Sequence, residues 1–180
     1  MADMVVELPG ELFKRQYLLY IIELSRSGSR YFYIGQTGDT RVITARPVFR
    51  RLAAHLEDRK STQNQVYQYV AHRILEFPEY EGKKIAFTQE ARQAVEKYLV
   101  KGNLKMHAYS LEPFVSSISR EEHVKRRRKT QKIEEQVIAL FRKNRRELMN
   151  QKVVASVSLK DCPYRKVMKQ IAKDFDLTIK

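Results

Sequence analysis

The chain reads as an α+β fold: a small central antiparallel sheet flanked by helices. Two aromatic, β-prone runs predict the sheet. Residues 17–24 (YLLYIIEL) and 30–35 (RYFYIG) are separated only by the turn residues SRSGS, so they predict a hairpin. The helices follow from later segments in which apolar side chains recur every three or four positions behind residues suited to capping.

Taken in order, residues 1–15, broken at Pro9-Gly10, predict a short leader that packs loosely. The first run is densely apolar and β-prone and reads as a buried strand. Gly28 is free to take positive φ in the turn. In the second run Tyr31, Tyr33 and Gly35 share a face, because side chains alternate along a strand. A polar loop over 36–46 follows, and Pro47 suits the first turn of a helix through VFRRLAAHLEDR. Arg51 and His55 are four apart on that helix and project from adjacent turns of one face.

Ser61-Thr62 predicts the cap of a helix over 63–77, with Val66, Val70 and Ile74 as its apolar stripe. Residues 83–87 (KKIAF) predict a short strand. Thr88 is a candidate N-cap for a helix that Gly102-Asn103 ends. A third strand is expected over 104–114. Ser119, followed by Glu121 and Glu122, predicts the start of a long helix reaching about Leu148. A strand over 151–157 and a basic helix over 163–175 complete the chain as a strand–helix extension of one 180-residue domain.

Composition narrows the partners. At 180 residues the chain suits one compact domain, and its 43% hydrophobic content is ordinary for a globular protein. The net charge of +14 is not ordinary, and such an excess favours polyanions, of which nucleic acid is the commonest. A merely soluble basic protein is the plain alternative. A lone cysteine, Cys162, allows no intrachain disulfide, which predicts an intracellular home. Scattered histidines and the absence of Cys-x-x-Cys argue against structural zinc. No long apolar run or signal pattern points to a membrane or to secretion by that route.

The residues with chemical potential stand in a fixed order. Leu18-Leu19-Tyr20 ends in a strand tyrosine, Tyr33-Ile34-Gly35 closes the second strand, and Arg51-x-x-x-His55 follows on a helix. Ile133-Glu134-Glu135-Gln136-Val137-Ile138 lies on a later helix, running on to Asn150. Alone, strand tyrosines are usually half-buried packing residues, and an Arg/His pair usually lies on a solvated face. Together, in this order, they resemble the GIY-YIG nuclease family across roughly residues 17–150, with unmatched stretches near 41–46 and 85–114. Where the family has its first glycine this chain has Leu18.

The resemblance implies a divalent-metal-dependent endonuclease of the restriction or mobile-element type, acting on DNA. It implies a catalytic set of Tyr20, Tyr33, Arg51, His55 and Glu134, with Glu134 as ligand to Mg²⁺ or Mn²⁺ and Tyr20 as base assisted by His55. Glu135 is the alternative carboxylate. Arginine suits a phosphate whose charge grows in the transition state, and one carboxylate can suffice for Mg²⁺, which keeps water and phosphate oxygens. A free tyrosine titrates at about 10, so as a base Tyr20 needs the metal and Arg51 to lower it. Gly35 and the run Lys125, Arg126, Arg127, Arg128 (continuing to Lys129) are candidates for substrate contact, the run being too one-signed for an internally paired helix face. Lys143, Arg145, Arg146 and the tail cluster Arg165, Lys166, Lys169 and Lys173 extend that basic track. Homodimerisation would bring two single-metal sites to the two strands of a duplex. Two alternatives stand beside this reading: a non-catalytic nucleic-acid-binding protein on the same scaffold, and an RNA-directed nuclease.

Overall fold

The structure is a computed structural model that describes residues 7–58, 64–78, 87–150 and 161–179. The fold is α+β, with a four-stranded sheet in the order β3-β1-β2-β4: β1 Gln16–Arg26, β2 Ser29–Gln36, β3 Asn103–Pro113 and β4 Glu147–Leu148. The first three strands pair antiparallel, as the sequence predicts. The two-residue β4 runs parallel to β2, which makes the sheet mixed. The strand expected over 83–87 lies outside the described residues except for Phe87, and the one over 151–157 lies wholly outside them.

The central stretch of β1, residues 17–22, is apolar because both of its faces are covered. Leu19 and Ile21 join Phe32 and Ile34 in one core. That core is closed by Ile133, Val137, Ile138, Leu140 and Phe141 of α4 (Arg120–Lys143) and by Met168, Ile171 and Ala172 of α5 (Arg165–Asp174). The basic tail helix is thus an integral wall of the core. On the opposite face, Leu18, Tyr20, Ile22 and Leu24 pack with residues of three helical segments: α1 (Val48–Leu56), α2 (Gln65–Tyr69), which continues into a π-helical turn at Val70–Ile74, and α3 (Gln89–Val100). Alternate side chains of one strand therefore serve two cores. No helix among the described residues is long and apolar enough to cross a membrane.

The hairpin turn has Ser27 at φ 49° and Gly28 at φ 84°, the two positive values of a type I′ turn, whose twist suits paired strands. Thr88 and Ser119 cap α3 and α4, their hydroxyls accepting from the N–H of Ala91 and Glu122. The expected cap at Ser61-Thr62 lies outside the described residues, and α2 begins at Gln65. The leader contributes a 3-10 turn at Gly10–Phe13, where Phe13 stacks on Phe49 at 5.1 Å.

The long helix stops at Lys143, not at Leu148. Arg145 takes a left-handed conformation at φ 54°, its N–H donating to the Arg142 carbonyl and the N–H of Arg146 to that of Phe141. This is a Schellman cap built without glycine. The same device, with Asp176 at φ 49°, ends α5, where Leu177 donates to the Ala172 carbonyl. The turn at Arg145 frees the chain to form β4 and to bring Asn150 to the edge of β2.

Candidate active site

The site grows from the register of the hairpin. Tyr20 is paired with Gly35, so the two lie side by side on the same face as Tyr33. The Tyr20 ring lies across Gly35: a Cβ built there would collide with the ring and its hydroxyl. Sequence reasoning placed Gly35 at the substrate, whereas the structure buries it as the seat of a tyrosine. Leu18, where the resembled family has glycine, is 2% exposed in the second core, at an irregularity of the β1–β3 pairing. Thr37 pins this end of the hairpin: its hydroxyl accepts from the N–H of Leu18 and donates to the carbonyl of Gln16, at 3.0 and 2.6 Å.

Helix α1 crosses this face and delivers His55 onto the tyrosines. The His55 ring is 4.2 Å from Tyr33 and 5.8 Å from Tyr20, and its Nε2 is 3.0 Å from the Tyr20 hydroxyl. The two tyrosine rings are 6.2 Å apart, and their hydroxyls interact. His55 is 3% exposed, with its pKa lowered to about 4 by burial first and by the Arg51 charge second. It is therefore neutral at pH 7. Its Nδ1 and the Nε of Arg51 are buried and without a hydrogen-bond partner among the described residues.

Glu134 comes from the opposite layer. Its negative charge raises, and the positive charge of Arg51 lowers, the pKa of both Tyr20 and Tyr33. The acidic and basic side chains thus act on the same pair of hydroxyls. Burial dominates, however, and the net shift of both tyrosines is upward. The expected lowering of Tyr20 by Arg51 exists but loses to the desolvation of a ring 2% exposed. Glu135 accepts a hydrogen bond from Gln131 at 3.1 Å.

All five candidate catalytic residues therefore belong to one neighbourhood, and the basic run divides by helix face. Arg126 pairs with Glu122 at 2.8 Å and Glu112 at 3.4 Å and donates to the Pro113 carbonyl. Lys129 reaches Glu112 at 3.5 Å, and Lys125 reaches Glu122 at 4.0 Å. The run is thus internally paired in large part, against expectation, because Glu112 arrives from β3. Arg127 lies along Gly38 and donates to Gln131. Seven residues, or about two turns, separate Arg127 from Glu134, so both share a face of α4. Arg128 is exposed. In the proposed track, Arg146 instead donates to the Phe175 carbonyl at 3.0 Å, beside the end of α5.

Asn150 holds the outer edge of β2. Its Oδ1 accepts from the Ile34 N–H at 2.9 Å and its Nδ2 donates to the Ile34 carbonyl at 2.7 Å, as a neighbouring strand would. His123, with no motif in sequence, links Tyr17 to the loop after β2. Its Nε2 donates to the Asp39 carbonyl at 3.0 Å, so its Nδ1 accepts from the Tyr17 hydroxyl at 2.6 Å. A 106-residue separation hid that pair from sequence reasoning.

A single carboxylate beside an arginine and two phenols fits a hard divalent cation that completes its shell with water and substrate oxygens. Among the described residues no three acidic, histidine or cysteine side chains gather as a closed metal cage. Comparison of the chain with protein-family models, with curated proteins and with solved structures gives no match.

Proposed function

We propose that this protein is a divalent-metal-dependent endonuclease of the GIY-YIG type that hydrolyses DNA phosphodiester bonds. One observation carries the reading. Tyr20, Tyr33 and His55, from three separate elements, form one cluster in which Tyr20 and His55 are buried and hydrogen-bonded, and the charges of Arg51 and Glu134 both act on its two tyrosines. The order of the motifs and the charge of +14 support it.

In this reading Arg51 binds the scissile phosphate, whose growing charge its fork of donors neutralises. Glu134 holds Mg²⁺ or Mn²⁺, which when bound supplies further charge neutralisation at the phosphate. Tyr20 is protonated at rest, so it can accept a proton from the attacking water only by releasing its own. His55, neutral and with Nε2 3.0 Å away, is placed to take that proton. Tyr33 orients Tyr20 by hydrogen bonding.

The test is incubation of supercoiled plasmid and of a structured RNA with and without Mg²⁺. Metal-dependent nicking or linearisation of the plasmid, lost in Glu134→Ala with binding retained, is the expected result. DNA binding without cleavage under any divalent metal would leave a non-catalytic binding protein instead. Faster cutting of the RNA would reassign the substrate.

A further inference from the structure

Building on that function, we propose that the tip of the loop between β2 and α1, residues 40–43, enters a groove of duplex DNA and reads base sequence, with Arg41 as the principal contact.

The loop is rigid by construction. Asp39, 7% exposed, lies at its centre: Oδ1 accepts from the N–H groups of Arg41 and Val42 at 2.8 and 3.2 Å, and Oδ2 pairs with Arg46 at 2.6 Å. Burial pushes this carboxyl up, but those N–H groups and Arg46 hold it below the ordinary carboxylate range. The backbone closes around it. Asp39 N–H donates to the Thr44 carbonyl, Arg46 N–H to that of Thr37, and Gly38 bridges Ala45 in antiparallel fashion. From outside the loop, His123 donates to the Asp39 carbonyl and Arg15 to the Thr44 hydroxyl.

The outward side chains take no part in this scaffold. Arg41 makes no ion pair among the described residues, Val42 is 60% exposed and Ile43 37% exposed. A firmly held turn that presents an arginine beside two bare β-branched residues gains nothing for the fold from their exposure. It does fit a duplex groove. The major groove, about 12 Å wide, admits a two-stranded ribbon; arginine reads guanine O6 and N7, and apolar groups meet the thymine methyl. Because the backbone is already fixed, little ordering entropy is lost on docking.

Its attachment gives the loop a reader's position. It leaves the sheet directly after Gly35 and Gln36 and ends where α1 begins, three residues before Arg51. Arg127 packs beneath it at Gly38, about 10 Å along α4 from Glu134. Base contact at the tip would thus be carried on the segment that leads into the helix of Arg51.

The experiment compares wild-type protein with Arg41→Ala and with Val42→Ser/Ile43→Ser, after thermal melts confirm that each folds. Selection of bound duplexes from a random library, and sequencing of the ends of cut plasmid, are the two readouts. Arg41→Ala should lower the ratio of preferred-site to random-duplex binding by about 10- to 100-fold and relax one or two positions of the site. The double variant should relax a neighbouring thymine position. Variants that keep the wild-type sequence preference overturn the loop proposal while leaving the nuclease intact. Wild-type protein that binds selectively without cutting removes the nuclease yet still tests the loop through the selected sequences. Wild-type protein with no affinity for duplex DNA overturns both.

Discussion

Tyr20 rests flat on Gly35, directly across the strand pair, and no other residue type at position 35 leaves room for the ring. Gly35→Ala should force the ring off its seat and away from His55. Overpacking of this kind costs about 1–3 kcal/mol. Urea unfolding should show the loss, and plasmid cutting should fall further than stability does. A variant as stable and as active as wild type would show that the ring has no fixed place.

Glu134 and Glu135 are neighbours with different surroundings, and single isosteric changes separate them. Glu134→Gln should remove cutting at any Mg²⁺ concentration and leave duplex affinity within a few-fold. Glu135→Gln keeps an acceptor for Gln131 and should cut at a rate close to wild type. The reverse pattern would move the metal to Glu135.

His55 makes stability depend on pH. Its folded pKa, about 4, lies below the unfolded value of about 6.5, so the unfolded chain binds the extra proton first. Stability is full above pH 6.5 and falls as pH drops towards 4, by about 3 kcal/mol in all. Urea midpoints between pH 7.5 and 4.5 should trace that fall, and His55→Gln should flatten it.

The basic helix face should divide in the same way under mutation. Arg126→Ala breaks bonds to Glu112, Glu122 and Pro113 and should lower stability by about 1–2 kcal/mol. Arg128→Ala should leave stability unchanged and reduce the slope of log affinity against log salt by about 0.9. Titrations of duplex DNA at several salt concentrations measure both.

Arg145 holds a left-handed conformation that suits glycine. Arg145→Gly relieves the Cβ penalty at a cost in chain entropy, for a net gain of up to about 1 kcal/mol. A melting temperature below wild type would show that the arginine side chain contributes more than its backbone costs.

The hairpin was legible because its residues carry the signal locally: two dense β-prone runs and a Gly-containing turn. The meeting of Tyr20 with Gly35 follows from that pairing, and the Thr88 and Ser119 caps were equally local. Helix ends at Arg145 and Asp176 were not, because neither position holds the glycine that announces a left-handed cap. β4 was hidden by its length, since two residues show no alternation. The basic run misled for a different reason: charge counted along the chain ignores carboxylates brought from elsewhere, and Glu112 comes from β3. The direction of the Tyr20 shift needed burial, which neighbouring charges in the sequence do not reveal.

The side-chain amide of Asn150 does for Ile34 what another length of backbone would otherwise do. By satisfying that peptide unit, the asparagine removes one N–H and one C=O that an unpaired border would offer to a foreign strand.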